Sequence, residues 1–282
     1  MKKVLIVFLV LFFLFIISGV LFMILQKNIP IGDRIALIRI EGMIVDSKDI
    51  VEELKQYVKD PSVKAIILRI DSPGGAVAPA QEIYEEVKKA VAKKKILVSM
   101  GSIAASGGYY IASPATKIIA NPGTLTGSIG VIMEIPNIEG FLNKIGIKTE
   151  VIKSGEHKDI ASVFRGIKKE EREILQGVMD NVHEQFIKAV AEGRKMLIED
   201  VKKIADGRVF TGEQALKLGL IDELGDFEDA VQTAAKLTGI KGEPVIISKK
   251  EKLSLIDLLK GRISNKWGNI FPTLSLKYLF VP

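Results

Sequence analysis

The chain has 282 residues, 48% of them apolar and 26% charged, enough to bury a sizeable core and too apolar for a mainly disordered protein. Lysine and arginine total 40 against 34 acidic residues, and the formal charge of +6 is too small to point to a nucleic-acid partner. With no cysteine and only two histidines, His157 and His183, the chain has no means to make structural disulfides, thiolate metal sites, a cysteine nucleophile or a histidine-rich metal centre.

In chain order, residues 1–3 bring Lys2 and Lys3, and Val4–Leu25 then runs 22 residues without a charge, VLIVFLVLFFLFIISGVLFMIL. At the helical rise this stretch spans about 33 Å, against a hydrocarbon core of about 30 Å. It exceeds the apolar region of a cleaved secretory signal, and no A-x-A-like site follows. The pattern predicts a transmembrane helix over residues 4–25 that uses membrane lipid as its partner. The leading lysines place residues 1–3 in the cytoplasm and the rest on the extracytoplasmic side of the plasma membrane.

A connector over residues 26–34 leads to alternating strand-like and helix-like segments. Strands are predicted at 34–40, 63–70, 94–100, 116–120 and 147–152, short apolar runs that read as buried parallel strands of an α/β fold. A helix over 79–94 repeats Ile83, Val87 and Val91 at four-residue steps. A longer one, about 168–197, stripes Leu175, Val178, Met179, Val182, Phe186 and Val190 along one face, fitted to the core or to a neighbouring subunit. In TGEQALKLGLID (211–222) Thr211 and Gln214 form a capping box and Gly219 supplies a left-handed stop. The main domain is expected over 35–240, with 241–282 as a C-terminal tail or appendage.

Three stretches carry chemistry. In RIDSPGGAVAPAQEI (69–83) a buried strand runs into Pro73-Gly74-Gly75 and then a helix, leaving glycine amides uncovered at a sheet edge where they can face developing negative charge. In GSIAASGGYY (101–110) Ser106 precedes Gly107 and Gly108 at the start of a helix, so the amide of Gly107 could hold an oxyanion together with Gly75 or Gly74. The pattern A-A-S-G-G differs from the G-x-S-x-G of nucleophile-elbow hydrolases. The third stretch, IKSGEHKDIASVF (152–164), holds both His157 and Lys158. A serine needs an adjacent base, and two arrangements stay open: His157 with a carboxylate, or Lys158 as a neutral amine. A lysine ordinarily titrates near 10.4 and must fall by about 3 units to be half neutral near pH 7.4. Asp159, its sequence neighbour, would oppose that fall.

DSPGG, GSIAASGGYYIAS, TLTGSIGVI, KSGEHKDI and GRVFTGEQALKLGLIDELG (207–225) together resemble the motifs of the signal peptide peptidase A family, membrane-bound serine-lysine peptidases related to the Clp protease and crotonase folds. The match runs in order over about residues 35–240. It implies a repeated β-β-α spiral core, Ser106 as nucleophile, Lys158 as general base, Ser128 as the hydroxyl that holds the lysine, and Gly75 with Gly107 as the oxyanion hole. No cofactor or metal is implied. It implies a peptide substrate such as cleaved signal peptides, and a homo-oligomeric ring, an octamer being one candidate size, in which a neighbour can supply the lysine. Three other readings make distinct predictions: a stomatin-partner type of membrane protease with another substrate, a crotonase-like acyl-CoA enzyme that needs no nucleophile, and a non-catalytic membrane scaffold.

Overall fold

The computed structural model describes residues 11–19 and 32–249, and the backbone of residues 277–279. By its contacts the chain divides into a unit before Arg34 and a unit from Arg34 onward. In the first, residues 11–19 are helical with exposed side chains. Among the described residues no helix is long and apolar enough to cross a membrane, and the remainder of the expected 4–25 span lies outside them.

The second unit is built on an eight-stranded mixed sheet. Its central strands are β1 (Arg34–Glu41), β2 (Val63–Ser72) and β4 (Lys95–Ala105), all mutually parallel, with Ile38 beside Leu68 and Leu68 beside Val98. Successive side chains of a strand point to opposite faces, and here both faces are covered. Ile66, Leu68 and Ile70 face one core with α1 (Lys48–Lys59), α2 (Val77–Val91) and α5 (Lys169–Arg194), while Ala65 and Ile67 face a second one closed by α8 (Phe227–Thr238). Burial on both faces is why these strands read as unbroken apolar runs.

β4 changes neighbours along its length. Leu97–Ser99 pairs with β5 (Lys117–Ala120), whereas Ile103–Ala105 pairs with β6 (Leu125–Gly127). The switch falls at Gly101, where an added Cβ would stand 2.7 Å from the Asp71 side chain. Thr124 and Thr126 donate their hydroxyls to the carbonyls of Gly101 and Ala104, both at 2.7 Å, and so pin β6 to the end of β4. β6 pairs antiparallel with β7 (Val209–Thr211), β8 (Glu223–Leu224) extends β5, and β9 (Val245–Ile247) adds to β1, bringing residues beyond 240 into the sheet. Four shorter helices complete the described part of the unit: α3 (Gly107–Ala112), α4 (Glu139–Lys144), α6 (Ile198–Lys202) and α7 (Gly212–Lys217), the last capped by Thr211 and Gln214 as expected.

One expectation is corrected. Residues 147–152 form no strand: Ile147, Val151 and Ile152 are exposed and no strand lies alongside to bond them. The stripe of α5 is buried only in its C-terminal half, at Val182, Phe186 and Val190, while Val178 stands in solvent. A three-residue strand, β3 (Gly74–Ala76), lies outside the large sheet and pairs antiparallel with β10 (Lys277–Leu279) from the expected tail.

Candidate active site

Ser106 sits at the junction of β4 and α3 with φ 52° and ψ −116°, a region that costs a non-glycine residue roughly 1–3 kcal/mol. Three anchors hold it there. Its amide donates to the Gly127 carbonyl at 2.8 Å and its carbonyl accepts from Tyr110 at 2.8 Å. Behind it Tyr110 stacks between Tyr84 of α2 and Phe186 of α5, with ring centroids 4.8 and 4.9 Å away, and the Tyr109 hydroxyl donates to the Leu220 carbonyl at 2.8 Å. Although A-A-S-G-G is not G-x-S-x-G, the backbone makes the same kind of strained strand-to-helix turn. The small residues serve it directly: a Cβ on Gly108 would stand 3.0 Å from the Ser72 carbonyl. Burial pushes the Tyr84 and Tyr110 hydroxyls up to about 12, which removes them as bases at neutral pH.

The Gly127 bond also brings in Ser128, the next residue, which is buried with φ 49° and donates its amide to the Arg208 carbonyl at 2.9 Å. Among the described residues neither the Ser106 nor the Ser128 hydroxyl has a hydrogen-bond partner. A cavity of about 410 Å³ opens on Ser128, lined also by Ile132, Met179, His183 and Asp206.

Gly75 arrives from the other side. Ala76 donates to the Ile44 carbonyl at 2.8 Å and Ile44 donates to the Gly74 carbonyl at 2.9 Å. This alternation turns Gly75's own N–H to the opposite edge, the edge along which β10 lies with Tyr278 facing Gly75. Only glycine fits, since a Cβ there would stand 2.1 Å from the Ile44 carbonyl oxygen. Ser72, two residues before Gly74, lies beside Ala104, two before Ser106, and α3 packs on β3. Ser106, Gly107, Ser128 and Gly75 therefore share one sheet edge.

Lys158 is not brought to that edge by any contact among the described residues. It belongs to an exposed arm, residues 131–168, whose helix α4 (Glu139–Lys144) buries none of its side chains. Its amide donates to the Gly155 carbonyl at 3.2 Å and its ammonium has no partner among the described residues. Asp159, the neighbour expected to oppose a neutral lysine, is engaged elsewhere: it accepts from Lys153 and, at 2.9 Å, from Arg165 Nε. These two cations hold its carboxyl well below the usual carboxylate range. Arg165 was not singled out in the sequence; the only trace of it there is an acid, an arginine and an acid at six-residue steps. The histidines fare poorly as bases, because among the described residues His157 Nδ1 and His183 Nε2 are both buried without a hydrogen-bond partner and no carboxylate orients either ring.

A strained serine at a strand-to-helix turn, with glycine amides at its edge, is the equipment of a covalent serine enzyme. Comparison with known proteins agrees. The profile described as Peptidase family S49 matches residues 88–241, and that described as Clp protease matches residues 33–124, which places the mixed α/β sheet in the Clp protease class. A Synechocystis sp. protein named as a protease is 48% identical over 251 residues, covering 87% of this chain and 90% of its own. An Enterococcus faecium protein whose name is that of a signal peptide peptidase, SppA, is 32% identical, covering 88% of this chain and 76% of its own. Protease 4 of Salmonella typhi is 40% identical over 74% of this chain, which spans 35% of that longer protein. The chain belongs to peptidase family S49, the signal peptide peptidase A family, and is a serine peptidase.

Proposed function

We propose that the protein is a membrane-anchored endopeptidase that cuts extended, membrane-associated peptides such as cleaved signal peptides, using Ser106 and Lys158 as a dyad. Ser106 Oγ attacks the scissile carbonyl as Lys158 Nζ takes its proton. The amides of Gly75 and Gly107 face the oxyanion, and Ser128 orients the amine without adding the negative charge a carboxylate would bring. Lys158 then protonates the leaving amine, and water released of a proton by the same lysine hydrolyses the acyl-enzyme.

The observation that carries this reading is β10 on β3. The edge that presents the Gly75 amide already receives an extended backbone, antiparallel and in register, next to the Ser106 turn. Strand addition of this kind suits a peptide and not an acyl-CoA thioester. The same pairing favours the tail as an internal competitor for the cleft. The exposed arm favours assembly: Phe141, Ile145, Val151 and Ile152 stand in solvent on the segment that carries Lys158, and an apolar arm of this kind seeks a second copy. In a ring the lysine of one subunit then serves the serine of the next, which accounts for two unpaired hydroxyls at one end and an unpaired ammonium at the other. The apolar 4–25 stretch and the Protease 4 and SppA relatives support the membrane anchor, with the catalytic unit on the extracytoplasmic side.

The test is purified full chain with Ser106→Ala, Lys158→Ala or His157→Ala, assayed on an extended apolar peptide. Each dyad variant should lose at least about 10⁴-fold in kcat, His157→Ala should stay active, and mixing the two dead variants should restore activity. A Ser106→Ala protein that still cleaves, or an active Lys158→Ala beside a dead His157→Ala, overturns the dyad.

A further inference from the structure

The arm around Lys158 contains a partly buried ion-pair network that the dyad itself does not require. Arg165 donates Nε to Asp159 Oδ2 at 2.9 Å and Nη2 to the Asp159 backbone carbonyl at 3.1 Å. Its other edge forks onto Glu171 in the first turn of α5, with Nη1 to Oε2 at 2.8 Å and Nη2 to Oε1 at 2.5 Å. The Glu171 side chain is only 2% exposed and also accepts the Lys168 amide at 3.0 Å. Lys153 closes the group, donating to the Asp159 carboxylate and, at 2.6 Å, to the Glu156 carbonyl. Gly166, next to Arg165, donates its amide to Glu139 at 3.0 Å. A planar bidentate fork of this kind fixes distance and angle together, which a surface lysine does not do.

We infer that Arg165 is a positioning residue for the base: it ties both the backbone and the carboxylate of Asp159 to helix α5, and so fixes the turn that carries Lys158. The inference rests on Lys158 being the base. Its second consequence is electrostatic. Lys153 and Arg165 balance Asp159 and Glu171, so the residue that must lose a proton stands beside a cluster without net charge. Arg165 holds the Glu171 carboxyl down to about 2, so the balance stands at any pH where the enzyme works. Remove Arg165 and two carboxylates face one lysine; the surplus negative charge then favours protonated Lys158. Remove the Asp159 charge and the surplus is positive, with the opposite effect. His157 lies on the same turn, is present in every variant, and cannot produce shifts of opposite sign.

The experiment measures kcat and KM from pH 6 to 10 for the full chain with Arg165→Gln, Arg165→Lys and Asp159→Asn, beside Lys158→Ala and thermal melts of each. Arg165→Gln should lower kcat at pH 7.5 by at least about tenfold, an effect of one pH unit on the neutral amine, with KM within about twofold and the activity midpoint moved upward. Arg165→Lys should return the midpoint but only part of kcat, and Asp159→Asn should move the midpoint downward. If Arg165→Gln does not fold, the last two variants decide alone. Unmoved midpoints in all three, or losses that follow the melts, overturn the inference while a dead Lys158→Ala leaves the dyad standing. An active Lys158→Ala overturns both.

Discussion

Ser106 and Lys158 sit on backbones held by different means. Ser106 is 1% exposed, at the end of a strand whose residues from Ile96 to Met100 are buried, and its turn is bonded to β6 and backed by three stacked aromatic rings. Lys158 rides on an arm whose helix buries no side chain and which is held by ion pairs within the arm and to Glu171 at the start of α5. Apolar packing fixes Ser106, the proposed nucleophile, in each chain separately. Charge pairing holds Lys158, the proposed base, on a segment whose apolar side chains have no core of their own to enter. The contrast teaches that a site can be complete in its parts and still be divided between a core and an arm.

The largest effect should come from the packed side. Gly75→Ala puts a methyl 2.1 Å from the Ile44 carbonyl oxygen and 2.6 Å from its amide nitrogen, both backbone atoms that cannot swing away. β3 must shift off its bridge, carrying the proposed oxyanion donor with it. The expected outcome is a fall in kcat of about 100-fold or more with a stability loss of about 1–3 kcal/mol, read by peptide cleavage and a denaturant melt. A variant with normal kcat would remove Gly75 from the oxyanion hole.

The arm should respond in the reverse way. Phe141→Ser with Ile152→Asn replaces side chains that touch solvent, so stability should change by no more than about 0.5 kcal/mol. Assembly should nonetheless weaken, with activity becoming dependent on protein concentration and falling by about tenfold at the lowest dilution, followed by sedimentation and by cleavage rate. Full activity in a monomeric variant would mean that Lys158 reaches Ser106 within one chain.

The same contrast explains what could be read from the residues alone. β1, β2, β4 and β5 were legible because strands buried on both faces leave unbroken apolar runs, and the Thr211–Gln214 box and Gly219 were legible because caps have local chemistry. The Ser106, Ser128 and Gly75 edge was legible as motifs, not as geometry, since the β4 switch at Gly101 has no pattern of its own. The arm misled. IKTEVI looks like a strand because periodicity reports apolar side chains without saying what covers them, and the N-terminal half of α5 carries Val178 on a stripe that the described residues leave open. Arg165 left no trace beyond the six-residue spacing of Asp159, Arg165 and Glu171, because an ion-pair network across a turn has neither a helical nor a strand period. β6 and β7 escaped notice because three residues are too few to show alternation.

The smallest effect, and the one with a sign opposite to structural damage, should come from removing residues 273–282. A tethered segment competes at an effective concentration set by the length and stiffness of its linker, so even a weakly held strand on β3 reduces the fraction of cleft open to substrate. The apparent affinity for substrate falls by that same fraction. Because β10 pairs only with β3 among the described residues, although it also lies against α2 and α3, its loss should leave the large sheet unchanged. Deletion should therefore lower KM by about two- to tenfold with kcat and melting temperature unaltered, and adding the missing ten-residue peptide in trans should raise KM again. A tail that merely supports the fold would lower kcat and stability together, and the added peptide would do nothing.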